Sequence, residues 1–151
     1  MNNQKIIAIS NQKGGVGKTT TAINLATALA ACDQKVLIID LDPQGNASTG
    51  LGIDYSDRRN SIYEVLTGSM NIESASHTTS INNLCIIPST VELSGIEPEL
   101  LDQTNRAYVL KNLLSDDFKN QFDFVFIDCP PALSLLTVMA MTAADSVLVP
   151  L

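Results

Sequence analysis

A glycine-rich segment with two lysines constrains this chain more than any other stretch. The segment runs from Lys13 to Thr20 and reads Lys-Gly-Gly-Val-Gly-Lys-Thr-Thr. An apolar run at residues 6–9 comes directly before it, and an alanine- and leucine-rich stretch at residues 20–31 follows it. A strand, a glycine-rich loop and a helix in this order are typical of a phosphate-binding cradle. The sequence therefore predicts an anion site where the helix begins.

Each residue type in this segment has a chemical reason to lie near a phosphate. Gly14, Gly15 and Gly17 lack a Cβ atom, so the backbone can fold tightly and direct successive N–H groups at one anion. The helix adds the positive end of its dipole. Lys18 would bring a full charge to the β- and γ-phosphates of a nucleotide. Thr19 would offer a hydroxyl to the Mg²⁺ that accompanies them.

The segment departs at one position from the common phosphate-loop pattern, G-x-x-x-x-G-K-S/T. When the pattern is aligned on Gly17, its first glycine falls on Gln12, and a second lysine, Lys13, stands beside it. In this respect the segment resembles the deviant Walker A loop of the ParA/MinD group of ATPases. The resemblance implies that one run of residues binds the nucleotide: Lys13, Gly14, Gly15, Val16, Gly17, Lys18, Thr19 and Thr20. It also implies a catalytic role for Lys18 and for Lys13, which would reach the phosphates of a partner subunit.

A second motif follows the apolar run at residues 36–39, which reads as a buried strand. Strand, helix and strand within about 35 residues form a βαβ unit, so this strand ends on the edge that carries the phosphate loop. The residues after it, 40–46, resemble the second phosphate-site motif of the same group. The resemblance implies that Asp42 positions or activates the attacking water, and that Asp40 is a partner of the Mg²⁺ and of the lysines. The alternative is that two acidic residues simply close a strand into a turn.

A third motif lies at residues 122–131, where an apolar strand ends in Asp128 and is followed by two prolines. It resembles the Walker B strand and the switch II turn, and Asp128 would hold the Mg²⁺ through a water. Residues 131–137 and 143–151 resemble the ParA/Soj branch, which partitions chromosomes and plasmids. The resemblance covers essentially the whole chain.

Alternating apolar runs and helical patterns predict an α/β fold that is P-loop NTPase-like, with a mostly parallel sheet and helices on both faces. We expect strands at residues 5–10, 36–39, 84–87, 124–128 and 146–151. The first helix should bury one stripe of Ala22, Leu25, Ala26 and Leu29. Residues 43–60 read as a long polar loop resembling switch I. Its Arg58 and Arg59 could touch phosphate or a partner, although two adjacent arginines in a polar loop are more often solvated. Ser61 and Glu64 form a capping-box pattern that predicts a short helix ending before Gly68.

The end of the sequence carries more apolar surface than one sheet can cover. The helix predicted at residues 133–144 is apolar on nearly every side, and the strand after it has no covering helix. We therefore expect one domain over residues 1–151 that is truncated at its C-terminal end. The missing part, or a second subunit, would cover this helix.

Composition limits the partners of this chain. Its net charge of −7 argues against broad nucleic-acid binding by these residues. The resemblance places nonspecific DNA contact in the missing C-terminal part. The three cysteines have no C-x-x-C spacing, which disfavours a zinc or iron–sulfur site. Because the sequence shows neither a signal-peptide pattern nor a long apolar span, we expect a cytoplasmic protein that does not require a membrane.

The resemblance implies a partitioning ATPase that binds and hydrolyses Mg·ATP. Two copies would form an ATP-dependent homodimer, a ParB-like partner would stimulate hydrolysis, and the protein would associate with the nucleoid. One alternative is a MinD-like, membrane-associated regulator of division-site placement. Another is a fragment with no activity of its own. Electron transfer of the nitrogenase iron-protein kind is disfavoured, since only Cys129 lies near the switch that would hold a cluster.

Overall fold

The computed structural model describes residues 5–13 and 17–151. Within them the strands form one six-stranded sheet in the order β3-β4-β2-β5-β1-β6. The strands are β1 (Lys5–Ile9), β2 (Val36–Asp40), β3 (His77–Thr78), β4 (Leu84–Ile87), β5 (Phe124–Asp128) and β6 (Ser146–Leu148). The helices are α1 (Lys18–Ala31), α2 (Asn46–Gly50), α3 (Ile62–Leu66), α4 (Ile96–Glu99), α5 (Val109–Leu113), α6 (Asp116–Lys119) and α7 (Leu135–Ala143). All described pairings are parallel except that of β3 with β4.

The central strands are buried on both faces, as their uninterrupted apolar sequences require. In β2, Val36 and Ile38 pack with α1 and α2, whereas Leu37 and Ile39 pack with α3, α5 and α7 on the opposite face. All four side chains are fully buried. Successive side chains of a strand point to opposite faces, so only a sheet covered on both sides can bury such a run. The predicted α/β fold with a mostly parallel sheet is confirmed.

Helix α1 packs on the sheet through small side chains. Ala22, Ala26 and Ala30 are buried, whereas Leu25 is 36% exposed and Leu29 is only partly buried. The predicted stripe was therefore wrong at Leu25, whereas Leu29 packs against the core although it is only partly buried. Alanines spaced four residues apart let the helix axis approach the strands closely, which leaves the leucines at the margins of the contact.

The segment at residues 43–60 is more ordered than its polar composition predicts. It contains α2 and a 3-10 turn at Tyr55–Asp57. The short edge strand β3 was also not predicted, and Pro98 lies in the first turn of α4. Proline is tolerated there because a first-turn N–H has no partner within the helix. The predicted capping box is present: the Ser61 N–H donates to Glu64, and Gly68 follows the helix with a φ of 84°.

Apolar side chains project from α7 on the side away from the sheet. Leu136, Met139 and Ala140 are buried, but Val138 and Met141 are each 42% exposed. The expectation that this helix has apolar residues on more than one side is confirmed. Among the described residues, no helix has both the length and the apolar character to cross a membrane.

Candidate functional site

The carboxyl ends of the central strands bring the predicted acidic residues to one edge of the sheet. Asp128 ends β5 and lies in register with Asp40 on β2 and with Ile9 on β1. Because β5 lies between β1 and β2, the three predicted motifs meet at this edge. Ligands of open α/β sheets bind outside this end of the strands.

Lys18 is the centre of the site. Its Nζ lies 2.7 Å from Asp128 Oδ1 and 4.0 Å from Asp42 Oδ2, and the residue is only 8% exposed. A buried ammonium is stable only when carboxylates or other acceptors surround it. The structure thus places a fixed positive charge where α1 begins, next to one acidic group at the end of β5 and another in the turn after β2.

Thr19 and Asp128 place two oxygen atoms side by side. The Thr19 hydroxyl donates to Asp128 Oδ2 over 2.9 Å, while Oδ1 of the same carboxylate accepts from Lys18. A hydroxyl and a carboxylate are hard oxygen ligands of the kind that Mg²⁺ prefers, and this ion takes only one or two protein ligands beside phosphates and water. The residues present therefore fit a magnesium ion. Thr20, the next residue of α1, is exposed.

The described parts of the loop show why a glycine ends it. Gly17 has a φ of 76° at the start of α1, a left-handed conformation that L side chains rarely adopt. Gly14, Gly15 and Val16, which were predicted to contact the nucleotide, lie outside the described residues. Lys13 has an exposed side chain, and its backbone N–H donates to Asn11 Oδ1 over 2.8 Å.

Asp42 sits in a tight turn just beyond β2. Its Oδ1 accepts from the Gln44 N–H at 3.0 Å, and its backbone carbonyl accepts from the Gly45 N–H at 2.9 Å. The residue is 5% exposed, and its second carboxylate oxygen faces Lys18. The turn therefore fixes the direction of the carboxylate.

Asp40 lies deeper than Asp42 and bonds to helix α2. Its Oδ2 accepts from the Ser48 N–H at 2.9 Å and from the Ser48 hydroxyl at 2.6 Å, and its Oδ1 accepts from the Asp42 N–H. Burial raises the pKa of Asp40 to about 6; the bonds from Ser48 oppose this shift, and the nearby Asp128 adds to it. In the described structure Asp40 thus anchors α2, and its role at a metal stays a prediction.

Burial also raises the pKa values of two side chains at the end of β5, Asp128 and Cys129. It raises the pKa of Asp128 above its ordinary value, although the adjacent Lys18 opposes the shift. Burial, together with the negative Asp128, raises the pKa of the Cys129 thiol to about 12. Cys129 is therefore a neutral thiol at physiological pH and has little nucleophilic character.

The raised pKa of Asp40 should make folding stability depend on pH. A carboxyl that binds its proton more tightly in the folded state stabilises the fold below its unfolded value of 3.8 and loses this contribution as the pH rises through about 6. The wild-type free energy of unfolding should therefore fall, relative to that of Asp40→Asn, by on the order of 3 kcal/mol between these limits. Chemical denaturation at a series of pH values measures the difference.

The companion variant Ser48→Ala should widen this window. It removes the hydroxyl hydrogen bond that favours the ionised Asp40 and keeps the backbone N–H bond, so the free energy of unfolding should go on falling to a higher pH than in wild type. If wild type and Asp40→Asn show parallel pH profiles, Asp40 does not carry the shift.

Three residues of the neighbourhood were missed by the sequence reasoning. Ser48 and Ser89 are fully buried, and the Ser89 N–H donates to Ser48 Oγ over 3.0 Å. Arg58, predicted to be solvated, is only 3% exposed and bonds to three other residues. Its sequence neighbours do not distinguish it from Arg59: two of its acceptor residues, Thr49 and Ile53, are nearby in sequence, but their acceptors face it only once α2 forms, and Ser89 comes from a distant segment. The nearest signal was Gly45, whose missing side chain makes room for it.

The fold and the site together define a nucleotide-binding α/β domain of the P-loop class, and the comparisons agree with this. Residues 4–151 match the family described as "AAA domain". The chain is 54% identical over 148 residues to the "Chromosome partitioning protein ParA" of Caulobacter vibrioides, covering 97% of this chain and 55% of that protein. It is 47% identical over 146 residues to the "Sporulation initiation inhibitor protein Soj" of Bacillus subtilis, covering 97% and 57% respectively.

A solved structure shares the fold closely. It is described as cobyrinic acid a,c-diamide synthase from Mycobacterium smegmatis with bound ATP analog and magnesium. Its TM-score is 0.93 at 40% sequence identity, over 98% of this chain and 60% of that one. The chain belongs to the AAA domain family and, within it, to the ParA/Soj group. It spans about half the length of the curated relatives it matches.

Proposed function

We propose that this chain forms the nucleotide-binding part of a partitioning ATPase that binds and hydrolyses Mg·ATP. One observation carries the proposal: the Lys18 ammonium lies 2.7 Å from Asp128 and 4.0 Å from Asp42, at the edge of the sheet where α1 begins. A buried cation, a water-positioning carboxylate and a metal-binding carboxylate are the groups that phosphoryl transfer to water requires. The ATP analog and magnesium in the Mycobacterium smegmatis structure support the same ligand pair.

Each side chain has a distinct task in this mechanism. Lys18 binds the β- and γ-phosphates and stabilises the charge that develops on them. Asp42 accepts a hydrogen bond from the attacking water and orients it, because its carboxylate is already fixed by the Gln44 N–H. Thr19 and Asp128 would hold the Mg²⁺, which neutralises phosphate charge when it is bound.

We assign the remaining nucleotide- and metal-binding groups from their positions in the sequence. The loop residues Gly14, Gly15, Val16 and Gly17 would surround the phosphates with backbone N–H groups, and Thr20 would extend this contact. Asp40 would act on the metal site indirectly, through its position beside Asp128 in the sheet.

The partners of this ATPase follow from family membership and charge. We propose an ATP-dependent homodimer whose ATP is hydrolysed when a ParB-like protein binds, which would release the dimer. With a net charge of −7, this chain is a poor DNA-binding surface. Nonspecific DNA contact would therefore come from the remaining length of the protein, which would work in the cytoplasm on the nucleoid.

Replacing Lys13 with alanine should separate ATP binding from hydrolysis. The Lys13 side chain is exposed, as a group that acts on a partner subunit must be. The variant should bind Mg·ATP with unchanged affinity and hydrolyse it about a hundredfold more slowly, since a donor to the developing charge is lost. Calorimetry measures the binding, and phosphate release measures the rate in the full-length protein.

Sedimentation with and without ATP tests the dimer directly. Wild type should sediment as a dimer only when ATP is present. If Lys13→Ala hydrolyses ATP at the wild-type rate, no charge is supplied across the interface.

A further inference from the structure

Arg58 is a buried cation that no part of the proposed mechanism uses. It is 3% exposed, and in residues 5–13 and 17–151 no carboxylate forms a salt bridge with it. Burying a guanidinium without a counter-ion is costly, so its neutral partners must supply well-placed acceptors. The positions of those acceptors in the fold indicate which segments the Arg58 side chain holds together.

The guanidinium connects α2 itself with the residues that follow it and with the segment after β4. Its Nε and Nη2 donate to the Ile53 carbonyl over 2.9 and 2.7 Å, and Nη2 also donates to the Thr49 hydroxyl over 2.9 Å. Its Nη1 donates to the Ser89 carbonyl over 3.4 Å, just beyond β4. The planar group lies 4.6 Å from the centre of the Tyr55 ring, a cation–π distance. A rigid fork of five donors can make such contacts at once, whereas an ammonium cannot.

The same guanidinium packs directly on the turn that carries Asp42. A Cβ atom at Gly45 would lie only 2.7 Å from Arg58 Nη1, so the close approach requires a glycine there. Gly45 also has a φ of 67°, in the left-handed region. Its N–H donates to the Asp42 carbonyl, and the intervening Gln44 N–H donates to the Asp42 carboxylate. Arg58 therefore supports the far end of the turn whose near end is Asp42.

A second set of contacts holds α2 from the sheet side. Ser48 donates to Asp40 through both its N–H and its hydroxyl, and Ser48 Oγ accepts from the Ser89 N–H. Ser89 thus bonds to Ser48 through its N–H and to Arg58 through its carbonyl. Ser48 thus links α2 both to Asp40 at the end of β2 and to the segment after β4, and Arg58 links Thr49 of α2 to that same segment.

We propose that Arg58 is a positioning residue for ATP hydrolysis, which holds the turn after β2 so that the Asp42 carboxylate is directed at the attacking water. This inference rests on the proposed role of Asp42. The cation and the oxygen groups that would bind phosphate and metal, Lys18, Thr19 and Asp128, form no hydrogen bond with Arg58 in the described structure. Loss of Arg58 should therefore change the rate of hydrolysis and not the affinity for ATP.

The test is steady-state hydrolysis by Arg58→Lys and Arg58→Ala in the full-length protein, with thermal melting to establish that each variant is folded. We expect kcat to fall about tenfold in both variants, because a small displacement of a water-positioning group is enough for such a loss. KM and the dissociation constant of Mg·ATP should stay within about twofold of wild type. Lysine should not rescue the rate, since it keeps the charge without the fork.

Two further variants keep the inference testable even if Arg58→Ala does not fold. Thr49→Val keeps the shape of the side chain and removes one acceptor of the guanidinium, so kcat should fall severalfold with KM unchanged. Arg59→Ala is the matched control, because Arg59 is the adjacent arginine and is exposed. Its kinetics should equal those of wild type.

The outcomes separate this inference from the function on which it rests. Wild-type kcat in folded Arg58→Lys and Thr49→Val would overturn the positioning role while leaving the ATPase intact. A rise in KM that matches the fall in kcat would also overturn it, because Arg58 would then act on binding. If wild-type protein itself neither binds nor hydrolyses ATP, the proposed function fails instead.

Discussion

Replacing Lys18 with alanine should reduce the affinity for Mg·ATP by at least about a hundredfold. The variant loses the one buried cation that lies between Asp128 and Asp42, at 2.7 and 4.0 Å. Its removal leaves two acidic groups beside the expected phosphate position, where they repel the negatively charged nucleotide. Hydrolysis should become undetectable, since the same charge stabilises the phosphates in the transition state. Isothermal calorimetry with Mg·ATP measures the affinity.

The control for this variant is Lys35→Ala. Lys35 is exposed and precedes β2, at the opposite edge of the sheet from the site. Lys35→Ala changes the net charge by the same amount as Lys18→Ala, so an effect of net charge alone on ATP binding would appear in both variants. A variant that replaces Lys18 with methionine keeps the length of the side chain and should lose binding as alanine does. Micromolar binding by folded Lys18→Ala would show that the phosphates lie elsewhere.

Replacing Asp42 with alanine should stop turnover without weakening binding. The carboxylate does not hold the phosphates in our proposal, and it repels them slightly, so Mg·ATP affinity should be equal to or higher than that of wild type. Hydrolysis should fall on the order of a thousandfold, the usual contribution of a positioned general base. Single-turnover phosphate release in the full-length protein measures the chemical step apart from product release.

The structure offers two companion variants for Asp42. Asn at this position retains an oxygen that can accept from the Gln44 N–H, so Asp42→Asn tests the charge with the turn preserved. Asp54→Asn changes an exposed acidic residue later in the same segment and should hydrolyse ATP at the wild-type rate. Unchanged hydrolysis by Asp42→Ala would mean that another group orients the water.

Much of the fold could be predicted because strands that are buried on both faces require uninterrupted apolar runs, which are visible in the sequence. The runs that form β2 and β5 are apolar at every position and end in Asp40 and Asp128, and only a sheet covered on both faces accommodates them. Parallel strands then bring both carboxylates to one edge, whatever the details of the helices. The positions of Lys18 and Thr19 follow from the same geometry, since α1 begins at that edge.

The features that were missed depend on contacts between distant segments. Arg58 reads as a solvated residue, but Gly45 leaves space for it, and it has acceptors on both sides of β4 in the sequence, among them the carbonyls of Ile53 and Ser89. The helix α2 forms from residues that favour caps and turns, and it is fixed through Ser48 by a carboxylate on another element. The leucines of α1 fit an amphipathic pattern, but the size of the alanines decided which side lies against the sheet. The sequence around each of these residues does not indicate which contacts it will make in the fold.

The two carboxylates that end β2 and β5 belong to the stiffest part of the molecule. Both strands are paired on each side within the sheet, and their central side chains have no exposure to water. Such strands open only when the whole domain unfolds, whereas short helices and turns open locally at much lower cost. A movement that responds to the bound nucleotide would therefore leave these two strands in place, and the segments that follow them, residues 41–60 and 129–134, are where we expect it. In the proposed function the reacting groups are then held by the rigid sheet, while the polypeptide attached to it responds to the nucleotide.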